Sequence, residues 1–434
     1  MTTSFHRAPD GRAKRLAATL YAYTLLDEFV LLYPFYALLF VDTGLSTAEI
    51  SSLLAIWSVT SVVLEVPSGV WADAVSRRAL LALAPLLAAV GFGLWVAAPS
   101  YWVFAAGFVL WGASGALQSG ALEALVYTEL DRLGAAGRYA AVMGRTRAIG
   151  TGAAVLSMAV ATPVFALGGY PLVAAGSVLA CVLASMAALA FPEHRARAGQ
   201  ETGRETGQET GREGEGLSEG SGDEEAPAGG YAAILREGLR AARADRPTRR
   251  ALLLVPAVTA LWGSLEEYTP LLAIGTGVAT HVVPLLVVLV SVGIAAGGVL
   301  AAAGRSFTDR EFAALLAFGA LALGAGAASG VAAGFVALAV AFCVFQMASV
   351  LADVRLQESI TGPARATVTS LAGLGTELGA VLVYGGYAAA SVLTGHAAIF
   401  TAAAVPYALL ALVLFLGGAR SRRSTVARAP LGGP

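Results

Sequence analysis

Seven carboxylates stand where a carboxylate is costly. Asp27, Glu28, Glu65, Glu123, Glu266, Glu267 and Glu377 all fall inside long apolar runs. On a membrane-insertion scale a charge at the bilayer centre costs about 2.5–3.5 kcal/mol. No Lys or Arg lies near the middle of the same runs to neutralise them. A carboxyl group so placed can take up and return a proton, or hold a polar ligand in a wet cavity. Asp27-Glu28-Phe29 recurs as Glu266-Glu267-Tyr268, each followed by a proline, Pro34 and Pro270. Acidic–acidic–aromatic at equivalent places in two halves is the mark of a parallel internal repeat. Asp27, Glu28, Glu266, Glu267 and Glu377 are therefore expected at a central cavity. Neighbours on a helix point about 100° apart, so one member of each acidic pair is expected to face its centre.

Other chemistries lack their residues. Cys181 and Cys343 sit deep in apolar runs and read as packing residues. The four histidines, His6, His194, His281 and His396, are scattered over tails and loops. No His/Cys cluster has metal-ligand spacing, no GxxxxGK phosphate loop occurs, and no nucleophile–base pair stands out, so neither metal nor cofactor is expected. The 434 residues are 57% hydrophobic and 13% charged, with net charge −1. Mean hydropathy is +0.72. Soluble domains are about 25% charged, so a soluble enzyme and a nucleic-acid binder are excluded.

The elements that must position the acids follow from the same arithmetic. A helix crosses the hydrocarbon core with roughly 20 apolar residues. Runs suited to this fall at 17–41, 47–71, 79–98, 101–126, 147–167 and 170–191, then at 251–275, 281–303, 312–328, 331–351, 367–391 and 396–418. Period-two alternation is absent, so these are helices and not barrel strands. The first run is too long for the core of a signal peptide and reads as an uncleaved span. With the N-terminus in the cytoplasm, twelve spans put all 28 Lys and Arg residues on the inner side. Omitting one span would invert every later loop and destroy that pattern. Both termini are thus expected inside. Spans three, six, nine and twelve carry no acid and are expected to face lipid.

The expected organisation is a cytoplasmic tail over 1–16, a six-helix bundle over 17–191, a cytoplasmic linker over 192–250, a second six-helix bundle over 251–418 and a tail over 419–434. Within the linker, the Glu-Thr-Gly repeat and acidic run at 196–230 predict disorder. The basic stretch at 231–250, with Tyr231, Ile234, Leu235 and Leu239 spaced along it, predicts a helix on the inner membrane surface. Glu65 and Glu123 lie toward the cytoplasmic ends of their spans. They are expected to act as gate or ion-pair residues, with Arg145 or Arg147 as partners. Phe29, Tyr33, Trp57, Trp111, Trp262 and Tyr268 are either aromatic walls for an organic substrate or interfacial belt residues.

Between spans two and three the chain reads Gly69-Val70-Trp71-Ala72-Asp73-Ala74-Val75-Ser76-Arg77-Arg78. This resembles the cytoplasmic loop of the major facilitator superfamily, G-x-x-x-D-[RK]-x-G-[RK]-[RK], with Gly69, Asp73, Arg77 and Arg78 matching. Ala74 and Ser76 replace one basic residue and one glycine. The resemblance covers 17–418. It implies an all-α membrane protein of two pseudo-symmetric six-helix bundles, with Asp73 meeting the start of span eleven near Thr367 and the arginines forming inter-helix ion pairs. Span four, Ser119-Gly120-Ala121-Leu122-Glu123-Ala124-Leu125, is similar to efflux-type bacterial permeases of the family. Span five lacks the proline-glycine signature of many drug/proton antiporters there.

The expected function is proton-coupled export of a small organic compound by a monomer in the bacterial cytoplasmic membrane. Its partners would be substrate, protons and lipid, with no nucleic acid. Two alternatives stay open on the sequence: a proton-coupled importer of a metabolite, and a non-transporting receptor or assembly protein on the same fold.

Overall fold

The computed structural model describes residues 7–193, 246–360 and 365–426. Most of the linker, including 196–230 and 231–245, lies outside these residues, as does the end of the C-terminal tail. Every regular element among the described residues is helical. In the first half these are α1 (Arg7–Asp27), α2 (Tyr36–Asp42), α3 (Thr47–Ala74), α4 (Arg77–Ala97), α5 (Tyr101–Arg132) and α6 (Tyr139–Leu189). In the second they are α7 (Arg246–Glu266), α8 (Thr269–Gly275), α9 (Val283–Leu300), α10 (Asp309–Ala328), α11 (Gly334–Ser359), α12 (Arg365–Ser391), α13 (His396–Ala402) and α14 (Ala404–Val426).

Each apolar run of the sequence is occupied by helix, and eight described helices are long and apolar enough by themselves to cross a membrane. One of the eight contains α6, which is two helices joined at Gly169, where φ is +61°. A residue without Cβ takes that left-handed conformation at no steric cost, so the chain can reverse there. Helix direction alternates along the chain. One end of the molecule carries α2 and α8. The other carries the starts of α1 and α7 and, by position in the chain, every described Lys and Arg.

Two of the expected spans are broken, and this corrects the reading of them as continuous helices. α1 stops at Asp27 and helix resumes only at Tyr36; α7 stops at Glu266 and resumes at Thr269. The acidic pairs sit on the breaks. In a membrane, freed backbone groups must find other partners. The Phe29, Tyr33 and Phe35 amides turn back onto Leu26, Val30 and Leu32, and the Leu32 amide donates to the Ser177 hydroxyl at 3.0 Å. At the second break the Thr269 hydroxyl takes the Glu266 carbonyl at 2.6 Å.

Packing separates the two ends. One continuous apolar core joins both halves through Phe35, Phe40, Leu53, Tyr268, Leu272 and Tyr387 near the α2/α8 end. At the opposite end the first half keeps a cluster of its own, around Leu20, Tyr23, Leu81, Val126 and Ala188. The halves meet through α3 against α12, α6 against α9 and α2 against α8. The helices of spans three, six, nine and twelve expose apolar side chains, among them Leu83 and Val90 of α4, Leu179 and Met186 of α6, Phe318 and Leu321 of α10, and Leu412 and Val413 of α14. Such faces suit acyl chains.

Within the second half α9 lies directly against α11. A Cβ at Gly293 or Gly297 would overlap the carbonyl oxygens of Ala339 and Cys343. Small residues four apart allow this backbone approach. Gly297→Ala is therefore expected to force the helices apart and destabilise the protein by about 1–3 kcal/mol. Gly385→Ala, which meets open space, is the matched control. Thermal unfolding in detergent should show a lowered midpoint for the first and none for the second.

Candidate functional site

A cavity of about 790 Å³ lies between the halves. Its wall comes mainly from α1, α4, α5 and α6, closed from the other side by Glu266 at the end of α7 and by Ser291, Ile294 and Ala295 of α9. Asp27, Glu28, Glu123 and Glu266 line it, and among the described residues Arg147 is the one cationic side chain on the wall. Because α1 ends at Asp27, both members of the first pair reach the cavity, against the expectation of one. Asp27 accepts a hydrogen bond from Gln118 Nε2 at 3.3 Å. Glu28 runs beside Gly150, where a Cβ would stand 3.4 Å from its Cγ.

Glu267 and Glu377 are not among the described residues that line this cavity. Glu267 accepts from the Tyr33 hydroxyl at 3.3 Å and from the Tyr36 hydroxyl, so its two oxygens tie the second half to the broken segment of the first. Glu377 of α12 accepts from the Ser58 hydroxyl of α3. The Tyr268 hydroxyl donates to Ser51 Oγ at 2.7 Å, and its ring stacks on Tyr387 with centroids 3.6 Å apart. The Ser291 hydroxyl meets Met158 Sδ at 3.3 Å. These hydrogen bonds cross between the halves. All lie from mid-helix toward the α2/α8 end. Glu123, Met143 and Arg147 mark the wall toward the other end. There Arg147 of α6 acts electrostatically on Asp353 of α11 across the cleft, without a described ion pair.

The aromatic residues divide. Tyr33, Phe92 and Trp111 line the cavity, with Trp111 centred 5.4 Å from the stacked Trp57. Trp262 is buried and donates to Ser349 Oγ at 2.9 Å, so it is neither wall nor belt.

At the 69–78 segment, Gly69 and Asp73 fall on α3, and the side chain of Asp73 and the surroundings of Thr367 lie outside what the structure describes. Ser76, a departure from the family pattern, caps α4: its Oγ accepts from the Ala79 amide and donates to Glu193. The Arg77 amide donates to the other Glu193 oxygen at 2.7 Å, and Arg77 Nη1 donates to Thr128 at 3.1 Å. A carboxylate is favourable at a helix N-terminus. These described contacts of Ser76 and Arg77 fall within the first half. Arg78 is exposed. Glu65 is exposed and has no ion pair among the described residues, and Glu123 and Arg147 share the cavity wall without one.

Sequence reasoning missed the neutral donors Gln118, Tyr36 and Ser58 and the acceptor Ser51, whose partners are distant in the chain. The prolines after each acidic pair were the available signal for the helix breaks.

A cavity between two halves, walled by carboxyl groups without ion pairs among the described residues, is built for binding and release. The sequence model of the Major Facilitator Superfamily matches residues 17–384. The chain belongs to the major facilitator superfamily. It is a multi-pass membrane protein and a secondary transporter, not an enzyme. The major facilitator fold is equally evident in solved structures. The nucleoside transporter NupG is 12% identical with a TM-score of 0.65, covering 94% of this chain and 98% of that one. A D-xylose-proton symporter is 15% identical with a TM-score of 0.60, covering 93% and 97%. A bacterial homolog of the human lysosomal transporter Spinster, inward-facing and occupied, is 14% identical with a TM-score of 0.62, covering 96% and 98%. No curated protein matches this major facilitator chain in sequence.

Proposed function

We propose that this transporter exports a small amphiphilic organic compound in exchange for protons, by alternating access in a bacterial cytoplasmic membrane. Twelve spans in two six-helix bundles, 17–191 and 251–418, would place both termini in the cytoplasm. The observation that carries the reading is an asymmetry. The end bearing the Lys and Arg residues, cytoplasmic by the positive-inside rule, is the end toward which the cavity reaches. The α2/α8 end is held shut by the bonds to Glu267, Glu377 and Ser51. This is an inward-open state with a closed outer gate. Closing the inner end would bring Arg147 and Asp353 together.

Protons enter the reading through the acids at the two helix breaks. A carboxyl that is neutral while the cavity faces outward and ionised while it faces inward carries one proton per cycle. Moving one charge across the membrane field is worth about 2.3 kcal/mol per 100 mV. Inward symport is the second reading, since the same acids would serve it and a proton symporter shares the fold.

Proteoliposomes with equal pH on both sides separate the readings whatever the protein's orientation. Adding a transported compound outside makes the lumen more alkaline under antiport and more acidic under symport. The expected result is alkalinisation. Acidification would replace export with import, and no pH response to any of a broad panel of organic compounds would remove proton coupling.

A further inference from the structure

Glu28 and Glu266 have no hydrogen-bond or ion partner among the described residues, yet both line the cavity, one from each half. Their sequence neighbours differ: Asp27 is held by Gln118, and Glu267 by Tyr33 and Tyr36. Each acidic pair is thus divided into one carboxylate satisfied within the protein and one left for the cavity's contents. Among the described residues the wall holds four carboxyl groups and a single guanidinium, Arg147. Arg147 stands toward the inner mouth, beside Met143. At the deep end the side chains are aromatic, with Trp111 centred 6.2 Å from Tyr33 and 5.3 Å from Phe92.

The geometry points to a monovalent organic cation as the substrate class, bound between Glu28 and Glu266 with an apolar body against Trp111. The inference rests on the cavity being the transport site. Three physical terms favour it. A cation balances the charge of carboxylates that face a confined cavity, where the attraction is screened less than in open solution. The negative face of an indole ring attracts a positive centre, most strongly where both are desolvated. A volume of about 790 Å³ falls within the range of about 300–1,000 Å³ that holds drug-sized ligands. An anion would meet three more carboxyl groups than it has guanidinium partners. A neutral molecule could donate hydrogen bonds to Glu28 and Glu266 but would leave their charge unbalanced.

The test uses shape-matched ions of opposite charge. Tetraphenylphosphonium and tetraphenylborate are offered to the purified full-length protein in nanodiscs, with empty nanodiscs subtracted, and binding is read by equilibrium dialysis and by quenching of tryptophan emission. Phosphonium is expected to bind at least tenfold more tightly than borate. The Glu28→Gln/Glu266→Gln double variant should lose at least tenfold in phosphonium affinity, with Glu358→Gln, an exposed acid of α11, as the unaffected control. Equal binding of the two ions, no phosphonium binding, or undiminished binding by the double variant would overturn the inference. The comparison of ions needs no variant, so misfolding of the double variant leaves it decisive. Binding is read without proton movement: selective cation binding with no lumenal pH response would remove proton exchange and keep the cation site.

Discussion

A variant with Asp27, Glu28, Glu266 and Glu267 all converted to their amides is expected to lose proton-coupled transport by at least a hundredfold, while still inserting into the membrane. The four acids occupy the two breaks in the helices, at Asp27/Glu28 and Glu266/Glu267. Amides keep their size and polarity but cannot ionise between pH 4 and 9. A coupling site that no longer changes charge forfeits about 2.3 kcal/mol per 100 mV, or about fifty-fold in the attainable concentration ratio. Stability should not fall with it. Adjacent carboxylates repel one another, and neutral isosteres relieve that repulsion. The one foreseeable cost is at Glu267, where an amide has a single acceptor oxygen for two tyrosine hydroxyls. Losing one such bond costs about 0.5–1.5 kcal/mol. The measurements are the lumenal pH response in proteoliposomes and the unfolding midpoint in detergent. Full proton-driven transport by the four-fold variant would show that the protons travel elsewhere. Single variants then rank the acids, with Glu266 expected to matter more than Glu267, because Glu266 faces the cavity and Glu267 is engaged in the gate.

The second large effect concerns which end is open. Tyr33→Phe/Tyr36→Phe removes both hydroxyls that donate to Glu267 and leaves the rings in place. A hydrogen bond to a charged group is worth about 1.5–3 kcal/mol, so losing two weakens the closed outer gate by about 3 kcal/mol or more. If the bonds exist in that state alone, about 3 kcal/mol shifts the balance of states by roughly 150-fold. Spin labels at Ala140 on α6 and Glu358 on α11, both exposed at the inner end, report the change once Cys181 and Cys343 are replaced. The distance between them should shorten in most molecules, as the inner end closes when the outer one opens. An unchanged distance distribution would mean that the Tyr268–Ser51, Ser58–Glu377 and apolar contacts hold the outer end without the tyrosines.

Much of the architecture was legible because a bilayer imposes simple demands. Every crossing segment must be long, apolar and helical, and the placement of Lys and Arg orients the loops. Those demands act on composition and order, so the helical runs and the family could be read from the sequence, the family from residues such as Gly69, Asp73, Arg77 and Arg78 in their setting. The likeness of Asp27-Glu28-Phe29 to Glu266-Glu267-Tyr268 likewise marked both functional breaks, though not that they were breaks.

What each acid does was decided by folding. Adjacent residues in one sequence motif, Glu266 and Glu267, go to different duties because the helix ends between them: one carboxylate turns into the cavity, the other into a pair of tyrosine hydroxyls from 230 or so residues earlier in the chain. Nothing local distinguishes them. Glu377 was drawn to Ser58 and away from the cavity by the packing of α12 on α3. Ser76, a mismatch in the motif, became a helix cap and a partner of Glu193. Hydrogen-bond partners remote in sequence are set by which helices touch and at what rotation. Only the assembled bundle fixes that, because it is the bundle that decides which donors reach a carboxylate and which carboxylates are left facing water.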